Sequence, residues 1–173
     1  SSTIMKRFNT TGTCRPNEHY MVDITERLAI IRKMIAKGDY FCINRGRQFG
    51  KTTTLEAISS SLSDEFCVFK VSFEGLDDSA FSSVSTANAA FLKLLKQDAQ
   101  WTAKEESVKK LLLDVVPRGL SSVDDFDFSE IISELCVASS KPVVVLIDEV
   151  DQAGNYQGFV KFLGGLRNMY LRR

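Results

Sequence analysis

Net charge, paired cysteines and long apolar runs are all scarce in this chain of 173 residues. Lys plus Arg number 22 and Asp plus Glu also number 22, so no overall field draws the protein to nucleic acid or to an anionic membrane. Only a local patch could do that. The four cysteines, Cys14, Cys42, Cys67 and Cys136, lack the paired spacing of a zinc site or a redox motif, and they read as small hydrophobes in a reducing compartment. No apolar stretch approaches the roughly 20 residues that span a bilayer. The opening SSTIMKRFNTTG has no apolar core of the kind found in secretory signals. A cytoplasmic location without a membrane partner is therefore expected.

What is present is ordinary for a single packed domain: 44% of residues are hydrophobic and 25% are charged. Short apolar runs alternate with longer amphipathic ones, the pattern of an α/β domain with a mainly parallel sheet. Residues 1–23 read as irregular and 24–173 as the α/β unit. Asp23 and Glu26 have capping-box spacing, and Ile24, Leu28, Ile31 and Ile35 mark one face of a helix that stops at Gly38. DYFCIN then reads as a buried strand, and FCVFKVSF, Phe66 to Phe73, as a second. Helices are expected near 84–96, 104–115 and 129–138. In KPVVVLIDEVD the unbroken apolar run from Val143 to Ile147 indicates a strand covered on both faces. Phe159, Phe162, Leu163, Leu166 and Tyr170 keep helical spacing afterwards.

Between the first of these strands and an apolar helical stripe (Leu55, Ile58, Leu62) lies NRGRQFGKTTT. It ends in the Gly-Lys-Thr of a phosphate-binding loop. Such a loop turns backbone N–H groups inward at a helix start, where free amides and the helix dipole favour an anion. The candidate nucleotide-binding residues are Arg45, Gly46, Arg47, Gln48, Phe49, Gly50, Lys51, Thr52 and Thr53. Gly50 lets the backbone turn closely, Lys51 neutralises the β- and γ-phosphates, the Thr52 hydroxyl is a Mg²⁺ ligand, and Thr53 adds an α-phosphate contact. Against G-x-x-x-x-G-K-[ST], Arg45 occupies the first glycine position and Gly46 comes one residue late.

At the end of the apolar strand stand two carboxylates. Asp148 suits the Mg²⁺ shell, and Glu149 suits a general base that polarises water. A strand-GKT-helix unit and a buried strand ending in Asp-Glu require one another, and together they indicate a nucleotide site with Mg²⁺. Asp124, Asp125 and Asp127 lack the glycine and distal glutamate of a calcium loop and read as a solvated helix start. Lys161, Arg167, Arg172 and Arg173 read as the exposed face of the terminal helix, so nucleic acid gains no support from them.

HYMVDITERL, YFCINRGRQFGKTTTL and VVVLIDEVD together resemble the bacterial AAA-like ATPases, P-loop proteins related to regulatory NTPases with signal-transducing modules. The resemblance covers nearly the whole chain. In that family the first loop glycine is often replaced, in versions like R-x-R-Q-x-G-K-T, which makes Arg45 look like a family trait. The resemblance implies a P-loop NTPase three-layer α/β/α sandwich that binds ATP or ADP. It also implies Mg²⁺-dependent hydrolysis coupled to conformational change in effector or C-terminal domains outside this chain. His19, Tyr20 and Val22 fall where related ATPases pack the adenine ring, although a lone histidine more often has a structural role.

Two alternatives to the ATPase stay open: a nucleotide-sensing module with little turnover, and a small-molecule kinase. The Asp-Glu pair looks like that of the P-loop division in which an extra strand, later in sequence, lies between the phosphate-loop strand and the acidic strand. After Ile147 this chain offers only a loop and the helix at 157–171, so a truncated core without later strands or lid is expected. The strands Tyr40–Asn44 and Val143–Ile147 should then stand about 10 Å apart, twice the usual spacing. Direct hydrogen bonding between them would remove the extra-strand assignment and favour a kinase-like arrangement.

Overall fold

A computed structural model describes residues 7–14, 29, 32–33, 39–47, 59–72, 76, 78–149, 161–162 and 164. Four strands, β1 (Arg7–Cys14), β2 (Asp39–Arg47), β3 (Cys67–Ser72) and β4 (Val143–Glu149), form one sheet in the order β1-β2-β4-β3. Every neighbouring pair is parallel. Among the described residues, three α-helices lie between β3 and β4: α1 (Val84–Trp101), α2 (Glu106–Val115) and α3 (Asp125–Ala138). The chain is thus an α/β protein with a parallel sheet, as its alternating pattern predicts.

Local chemistry sets the helix starts. Ser83 caps α1: its Oγ accepts from Thr86 N at 3.2 Å, and its own N–H donates to Thr86 Oγ1 at 3.2 Å. Asp124 caps α3, its Oδ1 accepting from Asp127 N at 2.7 Å, so DDFD forms the helix start expected of it. Helical spacing then selects the buried faces, with Ala87, Phe91, Leu95 and Ala99 on α1, Val108 and Leu112 on α2, and Phe128, Ile132 and Leu135 on α3. Buried Asn88 ties α1 to the α3 start, its Nδ2 donating to Val123 O at 2.9 Å and Asp125 Oδ1 at 3.0 Å.

The core forms where these faces meet the sheet. Phe69 and Val71 of β3 and Val143 and Val145 of β4 join one cluster with the three helices and Phe162. Phe162, in a helical segment beside the exposed Lys161, packs onto that core with its ring centroid 5.6 Å from Phe91 and 6.2 Å from Phe128. Val68, Val144 and Leu146 are buried but lie outside the cluster, as side chains on the opposite face of a pleated strand should. The central strand is covered on both faces.

Two sequence expectations need correction. β2 and β4 are not separated by a gap: they are hydrogen-bonded directly, in register from Phe41 opposite Val143 to Arg47 opposite Glu149. An unpaired buried peptide group costs about 1 to 3 kcal/mol, and here each strand satisfies the other. The extra-strand assignment therefore fails; the expected lack of later strands and a lid concerns residues after Glu149, most of which lie outside the described residues. The second correction concerns the stretch read as irregular, which contains β1, an edge strand pairing from Arg7 opposite Asp39 to Cys14 opposite Gly46. Its Thr-rich RFNTTGTC has no apolar alternation to announce a strand, and an edge position asks for none. The helix predicted from Ile24 to Ile35 lies mostly outside the described residues, although Ala29, Arg32 and Lys33 are helical.

The pairing of β2 with β4 can be tested by a cross-link. Cys42 is the register partner of Val144. Neighbouring strands lie about 4.8 Å apart, inside the range of about 4.4 to 6.8 Å that a disulfide bridges, whereas a separation of about 10 Å cannot be bridged. Val144→Cys should therefore form an intrachain bridge to Cys42 under mild oxidation, read by mass mapping of non-reduced peptides. A folded variant that never cross-links would place the strands apart.

Candidate functional site

Parallel strands present their carboxyl ends on one side, and there the sheet gathers the acidic pair. The register sets Arg45 beside Ile147, Gly46 beside Asp148 and Arg47 beside Glu149. From the other edge of β4, Ser72 of β3 is the partner of Asp148. The backbone at Asp148 is thus flanked by Gly46 and Ser72, at about 4.8 Å per strand step. Ser72 carried no functional signal in the sequence; its one clue is that it ends an alternating strand.

The sequence motif places Arg45, Gly46 and Arg47 in the loop, yet they belong to the last part of β2. The ladder to β4 takes their backbone into the strand as far as Arg47. Gln48, Phe49, Gly50, Lys51, Thr52 and Thr53 lie outside the described residues, as do His19, Tyr20 and Val22. The described part of the helix expected after the loop comprises Ser59 to Leu62, with Leu62 fully buried.

A cavity of about 540 Å³ lies at the other end of the sheet, against the amino ends of β3 and β4. Its wall includes Ser63, Cys67, Thr102, Lys104, Glu105 and Lys141. The charged groups there are occupied by the protein itself. Lys104 Nζ is 3.3 Å from Asp98 Oδ2, the two side chains being only 4% and 8% exposed; it also donates to Thr102 Oγ1 and sits 5.1 Å from the Phe69 ring centroid. Glu105 Oε1 accepts from Ser140 N at 3.0 Å and Ser140 Oγ at 2.9 Å, joining the α2 start to the turn before β4. Lys141 Nζ donates to Ser63 O at 3.3 Å. Burial pushes the Cys67 thiol above its ordinary value, a shift only partly opposed by a hydrogen bond with Ser139 and by Lys104 and Lys141. Cys67 is therefore a protonated, packed thiol at neutral pH, and this cavity reads as structural.

Comparison of the chain with protein-family models, with curated proteins and with solved structures finds no match.

The buried pair behind the amino-end cavity has a measurable consequence. Asp98→Ala leaves the Lys104 ammonium buried with no opposing charge and should cost about 3 to 5 kcal/mol in urea unfolding. Adding Lys104→Met to that variant should recover most of the loss, because a thioether takes the place of the ammonium over the Phe69 ring and no charge remains buried. A double variant as unstable as Asp98→Ala would show that desolvation of Lys104 is not the cause.

Proposed function

We propose that the chain is a P-loop domain of the three-layer α/β/α type, which binds ATP with Mg²⁺ and cleaves its β-γ phosphoanhydride. The register carrying Asp148 and Glu149 alongside Gly46 and Arg47, at the carboxyl ends of adjacent parallel strands, is the observation behind this reading. Ligands of open parallel α/β sheets bind beyond the carboxyl ends of the strands. Lys51 follows Arg47 by four residues, a span of at most about 14 Å, so chain connectivity keeps the Gly-Lys-Thr near the acidic pair.

In this reading Lys51 and the backbone from Gln48 to Thr53 hold the phosphates, and Gly50 permits their close approach. Thr52 and Asp148 offer hydroxyl and carboxylate oxygens, the hard donors that Mg²⁺ accepts together with phosphate oxygens. When bound, that ion offsets charge developing between the β- and γ-phosphates. Glu149 accepts the proton of the attacking hydroxyl, whose oxygen takes the γ-phosphoryl group as the bond to the β-phosphate breaks. The family resemblance adds coupling to effector domains outside this chain, with ADP as the released product and the cytoplasm as the setting.

A second reading gains from the direct β2–β4 pairing, because the extra strand expected of the AAA-like arrangement does not separate them. Adjacency of the phosphate-loop strand and the acidic strand favours a kinase-like arrangement, in which the hydroxyl belongs to a small-molecule acceptor. Phosphate release from ATP and Mg²⁺ alone separates the two: hydrolysis proceeds without an acceptor, whereas a kinase stays nearly silent until one is supplied.

Two substitutions test the assignment of roles. Lys51→Ala removes a charge-assisted contact and should weaken binding of a labelled ATP analogue about tenfold to a hundredfold, corresponding to about 1.5 to 3 kcal/mol. Equal affinity in a folded variant would take the phosphates away from this segment. Glu149→Gln should leave ATP affinity near that of the parent and slow single-turnover cleavage about a hundredfold or more, since an amide keeps the shape but accepts no proton. An unchanged rate in an active parent would move the base elsewhere.

A further inference from the structure

Although formal charge balances over the whole chain, it does not balance locally around the end of α1. Lys93, Gln97 and Trp101 recur every four residues and Lys96 and Gln100 fall between them, so all five share one face of α1. Two depressions open on this side. One, of about 240 Å³, lies between Lys93, Lys96, Gln97 and the Val116–Arg118 segment. The other, of about 130 Å³, lies between Lys96, Gln100, Lys109 and Leu113. They share Lys96 and Gln100, so the two adjoin as a groove along α1 and α2 that Lys96 crosses. Lys96 Nζ donates to Val116 O at 2.6 Å, which fixes its charge at the junction.

Neither depression has a carboxylate in its wall. Among the described residues, Lys93, Lys96, Lys109 and Arg118 have no carboxylate within ion-pair distance. At the end of the same helix face Trp101, the chain's single tryptophan, is 80% exposed. Phe69, Phe91 and Phe128 are completely buried, whereas Trp101, on the helix face that carries Lys93 and Lys96, and Phe126, on α3, leave large aromatic side chains in water.

We infer that this groove is a binding site for single-stranded nucleic acid, with Lys93, Lys96, Lys109 and Arg118 tracking successive phosphates and Trp101 stacking on a base. A charged groove beside an aromatic platform is the pairing that holds unpaired strands without reading their sequence. Gln97 and Gln100 add donors and acceptors between the two. An acidic peptide would meet the cations and leave the indole unused. A bilayer surface would not enter the concave junction at Lys96.

Titration of the full chain with a labelled oligothymidylate of about 16 nucleotides tests this, with anisotropy and tryptophan emission read together. Saturation should quench the emission of Trp101. The logarithm of the binding constant should fall against that of salt concentration with a slope of about −3, from four contacts at about 0.7 each. Trp101→Ala should weaken binding about fivefold to a hundredfold. Lys93→Gln with Arg118→Gln should make the slope shallower by about 1.4. These side chains are exposed, and unaltered thermal unfolding of each variant confirms that binding alone is affected. The inference is overturned if the oligonucleotide does not bind. It is equally overturned if bound strand leaves Trp101 emission and the Trp101→Ala affinity unchanged, or if polyglutamate or phosphatidylserine vesicles bind as tightly with the same dependence on Trp101.

Discussion

The hydrogen-bonded ladder on both edges of β4 is the constraint on which the other elements depend. Val143 to Leu146 are fully buried, and their backbone groups pair with β2 on one side and β3 on the other. Fully burying a Val or Leu side chain yields about 1.5 to 3 kcal/mol, and leaving one peptide group dry and unpaired costs about as much. Side-chain burial therefore stabilises β4 only while both neighbours hold their register. The same ladder fixes which chemistry can meet at each end. At the carboxyl end it sets Asp148 beside Gly46 and Ser72, and at the amino end Cys67 N donates to Pro142 O at 2.9 Å, beside the Lys104 and Glu105 network.

Much of this was legible in the sequence, and the legible parts share a cause. The stretch VVVLI declares a strand covered on both faces because no position in it tolerates water. FCVFKVS declares another by alternation, although Val68 is buried as well as its predicted face. Helices α1 and α3 run longer than their apolar spacing suggests. α1 continues to Trp101 through the polar residues Gln97, Asp98 and Gln100, and α3 begins at Asp125, ahead of its first buried residue. Caps and good helix formers extend a helix beyond the face that packs, and periodicity sees only that face.

Which strands are neighbours was not legible. An apolar strand announces that something covers it, and its residues say nothing about which backbone supplies the hydrogen bonds. The expectation of an intervening strand came from the look of the Asp-Glu pair, a side-chain feature, whereas pairing is decided by backbone groups that every residue carries. β1 was missed for a related reason: on an edge, RFNTTGTC needs β-branched residues and one partner, and it needs no apolar row. The candidate site divides along the same line. Asp148 and Glu149 stand out because acids at the end of a buried apolar strand are chemically conspicuous; Ser72 gives no such signal, since its place beside Asp148 comes only from register.

Charge balance over the whole sequence conceals how the charges are distributed in the fold. Asp98 and Lys104 neutralise one another in the interior, so neither contributes to the surface field. Glu105 is likewise engaged, by Ser140. Lys93, Lys109 and Arg118 have no such partner among the described residues, and Lys96 donates a hydrogen bond to a neutral carbonyl and keeps its charge. A chain with equal numbers of acids and bases thus presents an uncompensated basic groove wherever its acids have been drawn into capping, buried pairing or a strand end. At ordinary ionic strength the field of such a groove decays over about 8 to 10 Å, close to the width of a helix, so the groove acts on what touches it and leaves the distant carboxyl end of β4 to its own chemistry.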